Sequence, residues 1–353
     1  MNGGGAAPRV VLGMTLHNQA AHLPLAIESV LAQTCRDFLL VMLDDASGDG
    51  TEAIARGYAA RDARIRYHRR ERRQGMIATW REVVEIAGRA CPSAEYFAWL
   101  SDHDRWHPDW LARLRAELDA APNAVLAYPQ VRRLTPEGVE IVKPPRRFDT
   151  AGMTELGTRW RHFCRGGLGA GDMVYGLIRV PALRAAGIFR RVLRPDRMLI
   201  AELVLRGEIR QVPEVLWFRR NSAAASVTRQ RHTLLLPGSE PPWFWWPPWM
   251  QHARVFKHEY PQAALAGLGV SAADWRRMRR WYQLTYGWRH ARKSETSYLL
   301  GRGVDRVIDA RKLLKHHYHH AVYRLLTSLH AWRNRGRGDR PPAEDAAGKS
   351  EQM

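Results

Sequence analysis

Two aspartates one residue apart, Asp102 and Asp104, follow directly after an apolar run in the segment WLSDHDRWHPDW. The run at residues 96–100 is typical of a buried strand, and backbone at the end of such a strand is rigid. Carboxylates placed there can meet a divalent cation or a substrate in a defined position. A polar turn before a helix explains the same spacing, and this segment alone favours the turn.

Polar side chains also follow two earlier apolar runs. Residues 15–18 (TLHN) end a strand predicted over 9–15, and Asp44 and Asp45 end one predicted over 38–43. Ligands of parallel α/β sheets bind outside the carboxyl ends of the strands, so we expect the three polar groups to converge at one edge. A lone turn does not predict that convergence.

The elements that must position these residues alternate along the first hundred positions. Apolar runs predict strands at 9–15, 38–43, 64–68 and 96–100, and helical spacing predicts helices at 22–32, from 51 onward and at 76–87. This order predicts an α/β fold with a mostly parallel sheet flanked by helices.

The pattern loosens after residue 130, where a loop at 166–172, a strand at 174–180 and a helix at 196–206 are predicted. Prolines at 237–249 (PGSEPPWFWWPPW) break regular structure and mark the predicted domain boundary. The expected division is a flexible N-terminus (1–8), a main domain (9–236), a Pro/Trp-rich linker (237–250), a basic amphipathic helical region (251–335, with helices at 274–288 and 304–332) and a disordered tail (336–353).

The chain carries a formal net charge of +20, which indicates an anionic partner. Residues 251–353 contain 20 Lys and Arg against 9 Asp and Glu, so a net +11 lies in the last third. Nucleic acid, an anionic membrane surface and a phosphorylated substrate all fit this charge. Three widely spaced cysteines, no signal-peptide pattern and no apolar run of 18 residues predict a protein of the reducing cytoplasm that does not span a membrane.

Taken together, residues 9–230 resemble a family 2 glycosyltransferase with the GT-A nucleotide-sugar-binding fold. The resemblance rests on four segments in order: VVLGMTLHN, LPLAIESVLAQTCRDFLLVMLDDASGDGT, YFAWLSDHDRWHPDWL and RPDRMLIAELVLRGEIRQVPEVLWFRRNSAAAS. Several ordered segments are more specific than one acidic pair. The resemblance implies transfer of a sugar from a nucleoside-diphosphate sugar to a hydroxyl of a glycan or lipid-linked acceptor, in cell-envelope polysaccharide or glycolipid synthesis.

The resemblance also implies a divalent cation, Mn²⁺ or Mg²⁺, that offsets the charge of the leaving diphosphate. Asp104 matches the family's metal-contacting aspartate, and Asp102 matches its partner near the ribose or the metal. His103 stands where the family often has an acid or a variable residue. An altered metal preference and a plain surface histidine are both open there.

Residues at the first two strand ends match the family's nucleotide-binding positions. Asp45 matches the residue that accepts a hydrogen bond from the base, whereas Asp44 has a second interpretation as the cap of the following turn. Thr15 and His17 match residues that line the base and ribose, and Asn18 is expected beside them. The family more often has an aromatic residue at the His17 position.

Asp196 in RPDRML matches the aspartate that opens a helix and acts as general base in an inverting reaction. An N-terminal cap explains the same residue, and Glu202 is the fallback base. Arg219 and Arg220, which end VLWFRR, are expected at the diphosphate, with solvated surface arginines as the alternative.

Five large rings lie among the prolines, at Trp243, Phe244, Trp245, Trp246 and Trp249. Packing on the main domain is the default explanation, and stacking on an acceptor and insertion at a membrane interface are the alternatives. The basic helices that follow are compatible with peripheral attachment to anionic lipid on the inner face of the cell membrane. The histidines at 316–320 wrap around a helix and predict a polar face.

Two rival functions are an inactive relative of the family and a charge-driven nucleic-acid or anionic-surface binding protein. The chain has no RNA-recognition signature and no helix-turn-helix, and the strand-end acids would repel phosphate without a metal, so no nucleic acid is expected. The presence of both Asp104 and Asp196 argues against an inactive relative.

Overall fold

The computed structural model describes residues 7–141, 147–167, 171–220, 233–236, 238–260 and 265–287. The helix predicted at 304–332, the histidines at 316–320 and the tail at 336–353 lie outside these residues. Most of the N-terminal segment 1–8 does as well.

Within the described residues, nine strands form a single sheet. The strands are β1 (Val10–Leu16), β2 (Phe38–Asp44), β3 (Ile65–Arg69), β4 (Tyr96–Ser101), β5 (Arg105–Trp106), β6 (Ala124–Leu134), β7 (Glu140–Ile141), β8 (Leu177–Arg179) and β9 (Glu208–Arg220). Their order is β3-β2-β1-β4-β8-β6-β9-β5, with β7 paired to β6. Pairs among β1 to β4 and the pair β6–β9 are parallel, whereas β5, β7 and β8 pair antiparallel with their neighbours. The predicted α/β architecture with a mostly parallel sheet is confirmed.

Helices cover the sheet. They are α1 (Leu23–Leu31), α2 (Thr51–Arg61), α3 (Met76–Ala90), α4 (Trp110–Ala120), α5 (Leu156–Gly166), α6 (Val180–Ala185), α7 (Pro195–Val204), α8 (Pro248–His258) and α9 (Ala272–Tyr282). Prolines in the first turn of α1 and α7 suit positions where the backbone N–H has no helical partner. Ser271 caps α9 by accepting a hydrogen bond from the Asp274 N–H at 3.1 Å.

The strand predicted at 174–180 is shorter in the structure. Met173–Tyr175 forms a 3₁₀ turn, in which the Tyr175 N–H donates to the carbonyl oxygen of Asp172, and β8 begins only at Leu177. Gly176 joins the two, and a Cβ there would lie 2.4 Å from the Ala127 carbonyl oxygen. The apolar pattern alone does not distinguish this turn from a strand.

The sheet has a hydrophobic core on each of its faces, so its central strands are buried on both sides. Val11 and Val41 face one core and pack with Trp80 of α3. Leu12 faces the other core with Ile27 of α1. This burial holds the strands, and therefore their carboxyl ends, in one rigid arrangement.

The C-terminal helices belong to the first of these cores. Phe244, Phe256 and Tyr282 are buried in it, and the indole N–H of Trp160 on α5 donates to the Met278 carbonyl oxygen at 3.0 Å. Packing therefore accounts for Phe244, which has no exposed surface. In the described residues, the predicted boundary at 237 does not separate two cores.

No helix in the described part of the chain is both long enough and apolar enough to span a bilayer.

Candidate functional site

The three polar strand ends lie together at one edge of the sheet. Leu16 of β1 is in register with Asp44 of β2, and Thr15 of β1 with Ser101 of β4. The Asp45 N–H also donates to the Leu16 carbonyl oxygen at 3.0 Å. The convergence expected from the strand pattern is present in the structure.

Asp102 connects the ends of β4 and β1. Its Oδ2 accepts a hydrogen bond from the His17 backbone N–H at 3.2 Å, and its Oδ1 lies 2.7 Å from Nδ1 of His103. The Nδ1 atom of His17 is buried and has no hydrogen-bond partner among the described residues. His17 therefore has an unused polar atom at this edge of the sheet.

Asp104 is almost completely buried and is held by β9. Its Oδ1 accepts from the Arg220 backbone N–H at 2.8 Å, and its Oδ2 accepts from the Trp217 indole N–H at 3.1 Å. Burial raises the pKa of Asp104, while the charges of His103 and Arg219 and these hydrogen bonds partly offset that rise. The antiparallel pairing of β5 with β9 brings the two segments together.

The imidazole of His103 lies between the two aspartates, with Nε2 4.0 Å from Oδ1 of Asp104. Burial alone would lower the pKa of His103, but the hydrogen bond to Asp102 and the charges of both carboxylates outweigh it, so the pKa is raised. His103 is therefore part of the acidic turn. The structure does not support the interpretation of His103 as a plain surface residue.

Asp44 is fully buried and caps the turn that follows it. Its Oδ1 accepts from the Ser47 N–H at 2.8 Å and from the Ser47 hydroxyl at 2.6 Å, and its Oδ2 accepts from the Tyr67 hydroxyl at 2.9 Å. Of the two interpretations of Asp44, the structure favours the cap over a contact with nucleotide.

Asp45 anchors the segment that leads into α3. One carboxylate oxygen accepts from the Arg70 guanidinium at 3.0 Å and from the Gln74 N–H at 2.8 Å, and the other accepts from the Gly75 N–H at 2.9 Å. Gly75 has φ of +84°, a conformation that favours glycine. Asp45 thus fixes this segment beside the strand ends.

Asn18 joins the first two strand ends. Its N–H donates to the Ser47 hydroxyl at 3.1 Å, and its side-chain oxygen accepts from the Gly48 N–H at 2.8 Å. Its φ of +53° is one that asparagine tolerates better than most residues. Asn18 therefore shapes the strand-end loops through internal contacts.

Arg219 and Arg220 lie beside the acidic turn, and both side chains make specific contacts within the protein. The Arg219 guanidinium lies over the rings of Tyr175 and Trp217, at 5.4 and 5.3 Å from their centroids, and pairs with Asp172. The Arg220 side chain donates to the His103 carbonyl oxygen at 3.4 Å.

Asp196 lies in the first turn of α7, a helix that contacts the 3₁₀ turn Met173–Tyr175. Its carboxylate covers Gly171, where an added Cβ would lie 2.8 Å from Oδ2. Burial raises the pKa of Tyr175. The charge of Arg219 lowers it, and the charges of Asp104, Asp196 and Asp102 raise it further. Asp172, the residue after Gly171, pairs with Arg219, so these contacts link Asp196 to the arginine beside the acidic turn.

Glu202 does not fit the role of fallback base. It has no exposed surface, and its Oε1 accepts from the Arg190 guanidinium at 2.7 Å and from the Tyr260 hydroxyl at 2.6 Å. Burial raises its pKa to about 7, although Arg190 and Tyr260 favour the charged form. A side chain enclosed in the core cannot reach an acceptor hydroxyl.

Sequence reasoning missed Trp217, Asp172 and Tyr175, which link the acids to the arginines. Trp217 lies two residues before Arg219 in the segment VLWFRR, and alternation along a strand puts both on one face, so a signal for it existed. Asp172 and Tyr175 follow a glycine-rich stretch and gave no comparable signal.

Comparison with known proteins agrees with this geometry. Residues 12–169 match the model of the family described as Glycosyl transferase family 2. The chain is 30% identical to the protein CgeD of Bacillus subtilis over 122 residues, which are 34% of this chain and 28% of CgeD. It is 31% identical to an uncharacterized glycosyltransferase of Rickettsia typhi over 103 residues, which are 29% of this chain and 30% of that protein. The matches thus span less than a third of the length of these curated relatives.

The fold matches solved structures as well. TarS of S. aureus (residues 1–349) in complex with UDP-GlcNAc superposes with a TM-score of 0.59 at 12% identity, over 84% of this chain and 77% of that one. The same TarS fragment in complex with UDP gives a TM-score of 0.54 at 12% identity, over 84% and 76% of the two chains. By sequence, residues 12–169 of the chain therefore match glycosyltransferase family 2, and the fold of the chain is that of the TarS structures.

Proposed function

We propose that this chain transfers a sugar, with inversion, from a nucleoside-diphosphate sugar to a hydroxyl of a glycan or lipid-linked acceptor in cell-envelope synthesis. One chain of contacts carries the proposal: Asp196 lies against Gly171, the next residue Asp172 pairs with Arg219, and Arg219 lies over Trp217, whose indole N–H donates to Asp104. Acids suited to the donor's diphosphate and an acid suited to proton transfer therefore share one site. The TarS structures contain UDP-GlcNAc or UDP, which makes UDP a rational first probe.

Family 2 enzymes often use a divalent cation, and the acidic turn fits one. Mg²⁺ is usually held by one or two carboxylates and the substrate's phosphates, with no all-protein cage. Asp102 and Asp104 supply two hard carboxylates, and no group of three or more metal-ligating side chains occurs in the described ranges. Asp102 and Asp104 would hold Mn²⁺ or Mg²⁺, which would offset the diphosphate charge, and the His103 ring between them would have to move aside.

The arginines on β9 supply positive charge that belongs to the protein itself. Arg219 is held in place by stacking on Tyr175 and Trp217 and by its ion pair with Asp172, so its guanidinium is already ordered before a ligand binds. Guanidinium groups bind phosphate oxygens in a bidentate manner. We assign Arg219 and Arg220 to the leaving diphosphate.

Asp196 acts as the base in this proposal. The acceptor oxygen forms a bond to the anomeric carbon while the bond from that carbon to the diphosphate oxygen breaks with its electron pair. Asp196 takes the hydroxyl proton as the attack proceeds. Its place in the first turn of α7, next to Pro195, gives the carboxylate a fixed backbone position.

The nucleoside would lie at the carboxyl ends of β1 and β2. The unpartnered Nδ1 of His17 suits a ribose hydroxyl, and Thr15 is only partly buried at the same edge. Asp45 is the candidate for the base, although its oxygens already accept three hydrogen bonds from the protein. Asp45 would therefore also influence selection of the nucleobase through the shape of the segment that it anchors.

We also propose a cytoplasmic protein that attaches peripherally to anionic lipid. Arg276, Arg277 and Arg280 are exposed on α9, whose opposite face is buried through Trp275 and Met278. Deleting residues 251–353 would not test this attachment, because α8 and α9 belong to the main core. Substitution of the exposed arginines tests it with the fold intact.

The test of the donor site is calorimetric titration of the purified chain with UDP, dTDP and GDP, with and without Mn²⁺ or Mg²⁺. We expect one nucleotide to bind more tightly with metal, and the Asp104→Asn variant to lose that gain. Asp109→Asn is the matched control, since Asp109 is a half-exposed aspartate just beyond the acidic turn. Folded protein that binds none of the three nucleotides would refute the donor site and favour an inactive relative.

A further inference from the structure

Both backbone polar groups of Leu193 are held by side chains of α8. The Leu193 N–H donates to Oε1 of Gln251 at 2.8 Å, and the Leu193 carbonyl oxygen lies 2.8 Å from Nε2 of His252. Gln251 and His252 are polar side chains with no exposed surface. Buried polar groups are retained where they satisfy a specific partner, and here that partner is one residue of a loop.

These two side chains are themselves fixed by the C-terminal segment. The Gln251 amide donates to the carbonyl oxygens of Phe244 and Trp246, at 2.5 and 2.8 Å. Because a carbonyl oxygen only accepts, Nε2 of His252 must carry the hydrogen. Its Nδ1 lies 2.7 Å from the Tyr282 hydroxyl, so the ring is held at both nitrogens.

The loop that they hold leads directly into the proposed base. Arg194 follows Leu193 with φ of +56°, a left-handed conformation that is unfavourable for a residue with a side chain. Pro195 then fixes its own φ, and Asp196 is next. Such a conformation persists only where the surrounding structure stabilises it. The two hydrogen bonds between Leu193 and the side chains of Gln251 and His252, here called the clamp, provide that support.

We propose that Gln251 and His252 are positioning residues for Asp196, so that the C-terminal helices set the geometry of proton transfer. The proposal rests on the proposed function, since it takes Asp196 as the base. Neither side chain touches substrate. A displacement of about 1 Å at a reacting group can lower the rate about a hundredfold, so a clamp three residues away is sufficient to matter.

The test compares His252→Phe, which removes the donor to Leu193, with His252→Gln, whose amide can still donate there. The matched control is Trp275→Phe, because the Trp275 indole donates to the Phe256 carbonyl oxygen at 3.1 Å in the same core without touching Leu193. The rate of UDP release from UDP-GlcNAc and other UDP-sugars gives kcat and KM. Amide hydrogen exchange measures how well the backbone of the peptide over residues 190–198 is protected.

For His252→Phe we expect kcat to fall tenfold to a hundredfold with the KM for the sugar nucleotide and the UDP affinity unchanged, and exchange to rise only in the 190–198 peptide. His252→Gln should recover most of the rate. Equal losses in His252→Phe and in Trp275→Phe at matched thermal stability would overturn the proposal, as would unchanged exchange at 190–198. Wild-type turnover by Asp196→Asn would refute the base itself, which is a distinguishable failure.

Discussion

The indole N–H of Trp217 donates a 3.1 Å hydrogen bond to the carboxylate of Asp104, although 113 residues separate them in the chain. This bond and the one from the Arg220 N–H tie the end of β9 to the acidic turn after β4. The arginines at the end of β9 are thereby held next to the acids. The two parts of the proposed donor site are thus one structural unit.

Trp217→Phe should weaken the metal-dependent binding of UDP about threefold to tenfold, because one hydrogen bond contributes about 0.5–1.5 kcal/mol. The control is Trp106→Phe on β5, whose buried indole nitrogen has no partner among the described residues. Calorimetry of both variants checks the prediction. A loss of affinity as large in Trp106→Phe would assign the effect to packing.

Asp196→Asn should lower kcat by a factor of about a hundred to ten thousand, the usual contribution of a general base, with UDP affinity unchanged. Asp274→Asn is the control, because Asp274 also lies in the first turn of a helix and is half exposed. Initial rates with a UDP-sugar that the wild type uses as a substrate give kcat for both variants. Equal losses of activity in the two variants would show that Asp196 only stabilises the N-terminus of α7.

Glu202→Gln should flatten the dependence of stability on pH. Burial raises the folded pKa of Glu202 from 4.5 to about 7, so its contribution to stability is fully present below pH 4.5 and is lost as the pH rises through 7. Between pH 5 and pH 8 we expect the wild type to lose stability relative to the variant by on the order of 2 kcal/mol. Thermal unfolding from pH 5 to 8 gives the difference.

The control for that series is Glu259→Gln, because Glu259 also pairs with Arg190 but is partly exposed. Its unfolding curves should keep the pH dependence of the wild type. A Glu202→Gln variant whose Tm runs parallel to the wild type over the whole range would show that Glu202 does not titrate there.

Replacement of Arg276, Arg277 and Arg280 by Gln should weaken binding to vesicles with phosphatidylserine about a hundredfold, at roughly 1 kcal/mol per cation near the surface. The same triple change at Arg56, Arg61 and Arg66, which are exposed on α2 and β3, removes equal charge elsewhere. Sedimentation with vesicles at 0.1 M salt measures both. Equal losses would indicate general charge attraction, and no loss would refute attachment through α9.

The sequence was sufficient to predict the parallel half of the sheet, because its strands are buried apolar runs and its polar residues come at their ends. The convergence of Thr15, Asp44 and Asp102 followed from that pattern. The 3₁₀ turn at Met173–Tyr175 was not predictable, since apolar residues fill both a strand and a buried turn.

Pairing between distant segments was the other part that the sequence could not provide. Glu202 has helical spacing and charge suited to a base, and only the position of Arg190 and Tyr260 shows that it is enclosed. His252 and Gln251 carry no motif. Their role depends on a contact with Leu193 across about sixty positions of the chain.

The clamp on Leu193 also limits how this protein can be recombined. A chimera that exchanges the C-terminal helices with those of a relative would replace Gln251 and His252 while leaving the loop that they hold. The proline-rich stretch at 237–249 is the obvious place to join two parents, yet its Phe244 is buried in the core of the main domain. A crossover beyond residue 287 would keep the loop and its clamp from the same parent, and one that exchanges residues 190–287 as a block would do the same.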